Sequence, residues 1–248
     1  MKLRFLGSGD AFGSGGRFNT CFLVDRGPSS FLIDCGASSM VAIRRFGVDP
    51  NAIGAILVSH LHGDHFGGLP FFVLDAQFVS RRQRPLVLVG PPGLGSRLET
   101  LMEAMFPGSW QAPRKFEVEL VELQPETPTR VDVVGAEVTG FVVSHPSGAP
   151  PFALRLACDG KILAYTGDTE WVDVLLQAGR GADLLIAEAS TYDRKVPSHL
   201  AFTTLREKLG SLGAKRVIVT HMSADMLARA HDLDGVEAAS DGLDVEIA

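Results

Sequence analysis

The sequence predicts a layered α/β fold in which two mixed β-sheets carry helices on their outer faces. The prediction depends on short apolar runs that end abruptly in polar residues, a pattern typical of strands buried on both faces. The clearest runs cover residues 55–58, 162–165, 184–187 and 217–220. An opening hairpin or meander suits the runs at 3–6, 21–24 and 31–33. Helices are expected over 38–46, 95–106, 169–178 and 201–209.

Length and composition favour one large domain spanning 1–248 and exclude several classes of protein. Of the 248 residues, 46% are hydrophobic and 21% are charged, which suffices for a substantial core. The net charge of −6 excludes a global basic field for non-specific binding of nucleic acid. No run approaches the roughly 18 apolar residues that a membrane span needs, and the N-terminus does not have the form of a signal peptide. We therefore expect a cytoplasmic protein with no membrane partner.

The three cysteines and a short basic cluster carry no clear functional signal. The cysteines are far apart and form no CxxC pair, which predicts reduced, buried thiols rather than a disulfide framework or zinc ribbon. Arg81, Arg82 and Arg84 could contact a phosphate-rich substrate, but a solvated loop is the favoured interpretation. The phenylalanine-rich stretch 66–78 predicts core or dimer packing.

A cluster of histidine and aspartate follows one of the predicted buried strands. His60, His62, Asp64 and His65 lie within six positions directly after the run at 55–58. Imidazole nitrogens and carboxylate oxygens are the ligands that zinc and related ions take outside thiolate sites. On a tight loop, His60 and His62 can share one direction while Asp64 and His65 point to a second place. The segment therefore predicts the beginning of two metal sites.

Three further candidate ligands follow later predicted strands, namely His145, Asp168 and His221. With these three in order after the motif His-Leu-His-Gly-Asp-His-Phe-Gly-Gly, the chain resembles the metallo-β-lactamase superfamily. The segments 5–12, 31–36 and 90–94 are similar to the ribonuclease Z-like phosphodiesterase branch of that superfamily. The resemblance covers essentially the whole chain and implies an αββα sandwich, which is the metallo-β-lactamase fold.

The resemblance also implies a dinuclear centre with two divalent metal ions, zinc as the first expectation and manganese as the second. One ion would be held by His60, His62 and His145, and the other by Asp64, His65 and His221, with Asp168 bridging. Asp34 would orient the loop without being a ligand itself, although a simple role in capping a turn is nearly as good an interpretation.

Glu188 and His199 form a second candidate constellation. Glu188 ends a predicted strand and His199 follows eleven residues later. A carboxylate beside an imidazole raises the pKa of the ring and fixes its orientation, as a general acid requires. In ribonuclease Z-like enzymes a matching pair supports protonation of the leaving oxygen and binds the scissile phosphate. We therefore expect Asp64, Glu188 and His199 as catalytic residues, with Asp64 or Asp168 orienting the nucleophile.

The expected function is metal-dependent hydrolysis of a phosphodiester, and a small or cyclic diester is favoured over nucleic acid. Asp168 follows His145 by only 23 positions, which leaves no room for the long arm by which typical bacterial ribonuclease Z enzymes grip tRNA. Three alternatives stay open: an acyl hydrolase of the glyoxalase II or β-lactamase kind, a tRNA 3′ endonuclease, and a non-catalytic nucleic-acid-processing subunit. Members of the branch commonly form homodimers, which the resemblance implies as an expectation here.

Overall fold

In the computed structural model, which describes residues 1–27, 30–231 and 233–247, fourteen strands form two seven-stranded sheets. The first sheet contains β1 (Lys2–Gly7), β2 (Cys21–Asp25), β3 (Ser30–Ile33), β4 (Ile53–Leu57), β5 (Leu86–Gly90), β6 (Val118–Glu122) and β14 (Asp244–Glu246). Their order across the sheet is β14-β1-β2-β3-β4-β5-β6. The pairings from β14 to β3 are antiparallel and those from β3 to β6 are parallel, so the sheet is mixed.

The second sheet repeats this arrangement. It contains β7 (Thr129–Val131), β8 (Ala136–Val142), β9 (Phe152–Cys158), β10 (Lys161–Tyr165), β11 (Leu184–Glu188), β12 (Val217–Thr220) and β13 (Glu237–Ala238). The order is β13-β12-β11-β10-β9-β8-β7. The pairings from β7 to β10 are antiparallel and those from β10 to β13 are parallel. The apolar runs predicted as strands coincide with strands of the two sheets to within two residues.

Helices lie on the outer face of each sheet. They are α1 (Ser39–Arg45), α2 (Gly63–Phe66), α3 (Leu69–Phe78), α4 (Leu94–Met105), α5 (Leu175–Gly179), α6 (Phe202–Leu212) and α7 (Ala224–Leu227). Short 3-10 turns occupy Ser14–Gly16, Pro50–Ala52 and Asp132–Val134. In α4 the buried residues Leu94, Leu98 and Met102 recur every fourth position, which places them on the one face that packs against the first sheet.

Three apolar layers hold the four structural layers together. The central one lies between the sheets and includes Phe5 and Phe31 from the first sheet and Tyr165 from the second. The outer two lie between each sheet and its own helices. Because β4 is covered on both faces, all five of its residues are buried, which explains its continuous apolar run. The αββα sandwich predicted from the sequence is confirmed.

Two predictions about local structure are wrong. The helix predicted over 169–178 begins only at Leu175, because the backbone N–H of Thr169 donates to Glu188 and its hydroxyl oxygen accepts a hydrogen bond from the backbone of Ser144. Arg82 is not solvated but only 2% exposed, and its guanidinium donates to the carbonyls of Pro50, Arg84 and Pro85. These three carbonyls replace the water that the charge would otherwise need.

Other predictions agree with the structure. The three cysteines are free and buried, and burial raises the pKa of the Cys21 thiol to about 12. Most of the phenylalanine-rich stretch forms α3, which buries Phe72 in the layer between helices and sheet and leaves Phe78 exposed at its end. Among the helices formed by the described residues, none has the length and apolar character needed to cross a membrane.

The histidine-rich loop, residues 60–65, packs main chain against main chain on residues 35 and 36. The N–H of Cys35 donates to the His65 carbonyl at 2.6 Å, and the N–H of Gly68 donates to the Cys35 carbonyl at 2.8 Å. A Cβ atom on Gly36 would lie 2.1 Å from the Asp64 carbonyl oxygen, and one on Gly68 would lie 2.2 Å from that of Gly36. Only glycine permits this approach, so contacts between backbones set the position of the loop.

We expect Gly68→Ala to lower the free energy of unfolding by roughly 1–3 kcal/mol, the usual cost of forcing atoms into a packed site. The matched control is Gly63→Ala, because no atom lies within 4 Å of a Cβ built there. The control is expected to change the free energy of unfolding by less than about 0.5 kcal/mol. Equilibrium denaturation measures both variants, and equal effects would contradict the argument from close packing.

Candidate metal centre

The candidate site lies where the carboxyl ends of the parallel strands of both sheets meet. Layered α/β proteins place ligand sites at such strand ends. Asp34 directly follows β3, His60 follows β4 after two residues, and Glu188 is the last residue of β11. From the other strands come His145 after β8, Asp168 after β10 and His221 after β12. The candidate site residues predicted from the sequence therefore lie together, although they follow strands of both sheets.

The first group of candidate ligands is His60, His62 and His145, each of which offers one nitrogen within 4.8 Å of the others. Nε2 of His145 lies 2.9 Å from Nδ1 of His62. Nδ1 of His145 donates to the Ser198 carbonyl at 2.8 Å, so Nε2 carries the lone pair. Burial lowers the pKa of His60 and of His145, which favours the neutral imidazole that a cation needs.

The second group is Asp64, His65, Asp168 and His221, again with one candidate atom each within 4.8 Å. Nε2 of His65 lies 3.2 Å from Oδ2 of Asp64 and 3.3 Å from Oδ1 of Asp168. Nε2 of His221 lies 3.3 Å from Oδ2 of Asp168. Burial alone would lower the pKa of His65, but the carboxylates of Asp168, Asp64 and Asp34 hold it well above its ordinary value. The negative potential that retains a proton there also attracts a metal cation.

Asp168 lies between the two groups. Its Oδ2 is 4.0 Å from Nε2 of both His60 and His145, and its carboxylate also contacts His65 and His221 at the distances given above. The carboxylate is 2% exposed, so it faces the histidines rather than solvent. This is the position that a bridging ligand would need.

Asp34 contacts the histidine-rich loop but belongs to neither group of candidate ligands. Its carboxylate is fully buried and accepts hydrogen bonds from the backbone N–H of Ser59 at 2.7 Å and from the Ser59 hydroxyl at 2.8 Å. It also accepts from Nδ1 of His65 at 2.7 Å, which leaves Nε2 of that ring as the candidate ligand. Because the Ser59 hydroxyl donates to Asp34, the 3.1 Å contact with His60 requires Nδ1 of His60 to be the donor. Asp34 thereby sets the tautomers of two rings.

The residues present fit a pair of divalent cations. Four buried atoms of the two groups have no hydrogen-bond partner among the described residues, namely Nε2 of His60, Nε2 of His65, Nδ1 of His221 and Oδ1 of Asp168. Leaving such atoms unsatisfied is costly, and a cation supplies what a protein donor does not. The donor set contains only imidazole nitrogen and carboxylate oxygen, the ligand chemistry of zinc, manganese and related ions.

Glu188 and His199 are in direct contact beside the second group. Nδ1 of His199 donates to Oε1 of Glu188, while Oε2 accepts from the N–H of Thr169 at 2.7 Å and from that of Leu200 at 3.3 Å. The hydrogen bond with Glu188 raises the pKa of His199. Nε2 of His199 is therefore left to act as a proton donor in the cavity that the ring lines.

A cavity of about 580 Å³ opens onto these residues. It is lined by His62, Asp64, His145, Asp168, His199 and His221 together with Asp10, Ala11, Phe12, Ser14, Ser190, Thr191, Arg194, Val196, Ser223, Ala224 and Asp225. The sequence alone predicts no role for Phe12 or Arg194. Each stands alone in a loop without a repeated spacing, and only the fold brings them to the cavity. His231 is exposed and does not line this cavity.

Comparisons with known proteins agree with this architecture. Curated relatives named Ribonuclease Z include a protein of Haloferax volcanii, 26% identical over an alignment that covers 100% of this chain and 95% of the relative. A second, from Methanosarcina acetivorans, is 25% identical, with coverage of 90% of this chain and 88% of the relative.

Among solved structures, the short form of human tRNase Z has a TM-score of 0.80 at 24% identity and covers 100% of both chains. A diphosphatase from the PhnP family has a TM-score of 0.79 at 22% identity, covering 99% of this chain and 97% of its own. YhfI from Bacillus subtilis, a metallo-β-lactamase fold protein, has a TM-score of 0.77 at 21% identity and covers 99% of both chains. These similarities show the metallo-β-lactamase fold.

A family model described as Anti-Pycsar protein Apyc1 matches residues 1–240. The match spans every strand except β14 and every residue of the candidate site. The chain therefore belongs to the Anti-Pycsar protein Apyc1 family, within the ribonuclease Z-like branch of the metallo-β-lactamase superfamily.

Proposed function

We propose that this protein is a metal-dependent phosphodiesterase that hydrolyses small or cyclic phosphodiesters at a dinuclear His/Asp centre. The single observation that carries the proposal is the hydrogen-bonded pair of Glu188 and His199 beside the two groups of candidate ligands. Expulsion of an alkoxide from phosphorus needs a proton donor in addition to an activated water, and His199 is held where it can provide one.

Residues of both groups would hold the ions, and the roles of the other side chains follow from their contacts. A pair of divalent cations bound there would supply an acidified water and would neutralise the charge of the phosphodiester. His60, His62 and His145 would bind one cation, and Asp64, His65 and His221 the other, with Asp168 between them. The carboxylate of Asp64, which also lines the cavity, would orient the attacking water.

His199 would act on the opposite side of the reacting phosphorus. Glu188 fixes the ring through Nδ1, so the proton on Nε2 is the one available to the departing oxygen. Because Glu188 is itself held by two backbone N–H groups, its carboxylate cannot turn away and the orientation of His199 is maintained. Arg194 lines the same cavity and adds a positive charge suited to a phosphate anion.

Three observations favour a small substrate. The cavity of about 580 Å³ falls within the roughly 300–1,000 Å³ that small-molecule sites occupy. The interval between His145 and Asp168 contains the hairpin of β9 and β10 and no extended arm that could bind a macromolecule. The net charge of −6 opposes a polyanion such as RNA.

A substrate panel on protein reconstituted with zinc or manganese tests the proposal. The panel contains a bis-aryl phosphate, cyclic nucleotides, precursor tRNA, a thioester and a β-lactam. We expect turnover of the diesters, with the cyclic compounds included. Preferred turnover of the thioester or the β-lactam would instead establish the acyl-hydrolase alternative.

We expect each chain to bind two divalent ions. His60→Ala should lose one ion, whereas Asp168→Ala should impair binding of both, because a bridging carboxylate serves two sites. His231→Ala is the matched control, since this histidine is exposed and outside the cavity. Elemental analysis after reconstitution and removal of free metal measures the stoichiometry. A content well below one equivalent in the unmutated protein would contradict the proposal.

His199→Ala should keep the metal content near that of the unmutated protein yet lower kcat on an alkyl diester by roughly 10²–10⁴, the usual contribution of a positioned general acid. A diester with an activated aryl leaving group needs little protonation, so its loss should be smaller. Glu188→Gln should show the same dependence on the leaving group more mildly. Equal losses for both leaving groups would mean that His199 binds phosphate instead of donating a proton.

Precursor tRNA should be a poor substrate of the purified protein compared with small diesters. A macromolecular substrate needs contacts beyond the metal centre. The interval between His145 and Asp168 contains only a short hairpin and no extended arm that could provide such contacts. Cleavage assays at physiological salt, with the protein alone, compare kcat/KM for the two classes. Efficient cleavage at the 3′ side of the tRNA body would contradict this expectation.

A further inference from the structure

Phe12 lies at the cavity that holds the candidate metal centre, yet its side chain is 93% exposed. The other aromatic side chains at the site, the histidines of the two ligand groups, are at least partly buried. An isolated exposed phenylalanine is common on protein surfaces and needs no explanation. An exposed phenylalanine at the opening of a site, on a loop whose contacts hold it there, does need an explanation.

The loop that carries Phe12 is tied down on both sides of the ring. The carboxylate of Asp10 is 6% exposed and accepts hydrogen bonds from the backbone N–H of Phe12 at 3.2 Å and of Ser14 at 2.9 Å, and from the Ser14 hydroxyl at 2.7 Å. Gly13 turns the chain back with a φ of 69°, a left-handed conformation that glycine adopts without strain. The loop itself therefore holds the ring out of the core.

The same loop is packed against the second half of the molecule. A Cβ atom on Gly15 would lie 2.9 Å from Cδ1 of Leu227, so this part of the loop fits closely on α7. The side chain of Asn19 adds a hydrogen bond to the Asp10 carbonyl at 3.0 Å. Because its neighbours are fixed in this way, the ring can turn about its own bonds but its backbone cannot carry it away from the cavity.

The cavity is lined by two chemically different kinds of side chain, polar and apolar. Imidazole and carboxylate groups of the candidate metal centre line one part, while Ala11, Phe12, Val196 and Ala224 contribute apolar surface to the same cavity. A phosphodiester presents the same division when one of its ester groups is apolar, since the anion binds cations and the apolar group binds apolar surface. An aromatic face is the surface on which a planar ring stacks.

We propose that Phe12 is a specificity-determining residue that stacks on a planar aromatic group carried by the diester substrate. The proposal rests on the proposed function, because it assigns the group that accompanies the phosphodiester in the same cavity. Phe12 selects diesters that bear an aromatic ring system over purely aliphatic ones, and it acts on binding rather than on the chemical step.

The test compares two diesters whose leaving groups are both activated. Methyl p-nitrophenyl phosphate carries one ring and bis(trifluoroethyl) phosphate carries none. Phe12→Ala should lower kcat/KM for the first by roughly 5- to 150-fold, mainly by raising KM, and change the second less than twofold. For each substrate, kcat/KM of the unmutated protein is divided by kcat/KM of the variant. This ratio cancels the difference in intrinsic reactivity between the two substrates. Phe12→Trp should restore most of the preference.

The matched control is Phe78→Ala, which removes another exposed phenylalanine, 65% exposed at the end of α3 and outside this cavity. It should change neither substrate. In a second experiment, isothermal titration calorimetry, which is the calorimetric arm of the test, measures the binding of phenylphosphonate and methylphosphonate to the metal-loaded protein. Phe12→Ala should weaken only the phenyl compound, by a factor similar to the one seen in KM.

The outcomes separate this inference from the function on which it rests. If the unmutated protein hydrolyses neither diester, the proposed function fails, and the calorimetric arm alone judges Phe12. If Phe12→Ala affects both diesters equally or neither, or if phenylphosphonate binds no better than methylphosphonate, the inference is overturned. It is also overturned if Phe12→Ala changes the oligomeric state, because the ring would then belong to an interface between chains.

Discussion

The candidate site depends on one buried carboxylate, that of Asp34. It accepts hydrogen bonds from both the backbone and the hydroxyl of Ser59 and from the ring of His65, so it joins the end of β3 to both ends of the histidine-rich loop. A buried carboxylate with these donors is well compensated for the loss of water, whereas removal of one donor would leave a charge stranded in the core. Asp34 itself has a φ of 59°, an uncommon conformation for a residue other than glycine, so its backbone is constrained to aim the carboxylate at the loop.

The two groups of candidate ligands lie across the junction of the two sheets, so the site is complete only when the sheets are packed together. The loop residues come from the first sheet, while His145, Asp168 and His221 come from the second. Without a cation these side chains bring partial and full charges together at low exposure, which opposes close packing. A divalent cation held by these residues would bind the native arrangement of both sheets and not the unfolded chain, so it would stabilise the fold as well as the site.

Much of the fold and most of the candidate site could be predicted from the sequence, for a physical reason. Buried parallel strands require continuous apolar runs, and the ligand types directly after those runs can only come out at the strand ends where such sites form. Other features depend on tertiary contacts that no local pattern encodes. Arg82 is buried because three distant or neighbouring carbonyls converge on it, and the helix expected from Thr169 is displaced because that backbone N–H is used by Glu188. Phe12 is informative only in combination with the cavity.

The two sheets repeat the same sequence of pairings, three antiparallel and then three parallel, counted from the β14 edge of one and the β7 edge of the other. The two sheets contribute differently to the candidate site. The first supplies the histidine-rich loop, and the second supplies single donors that follow separate strands. Neither sheet carries a complete group of candidate ligands, so a shift of one sheet relative to the other would alter both groups at once.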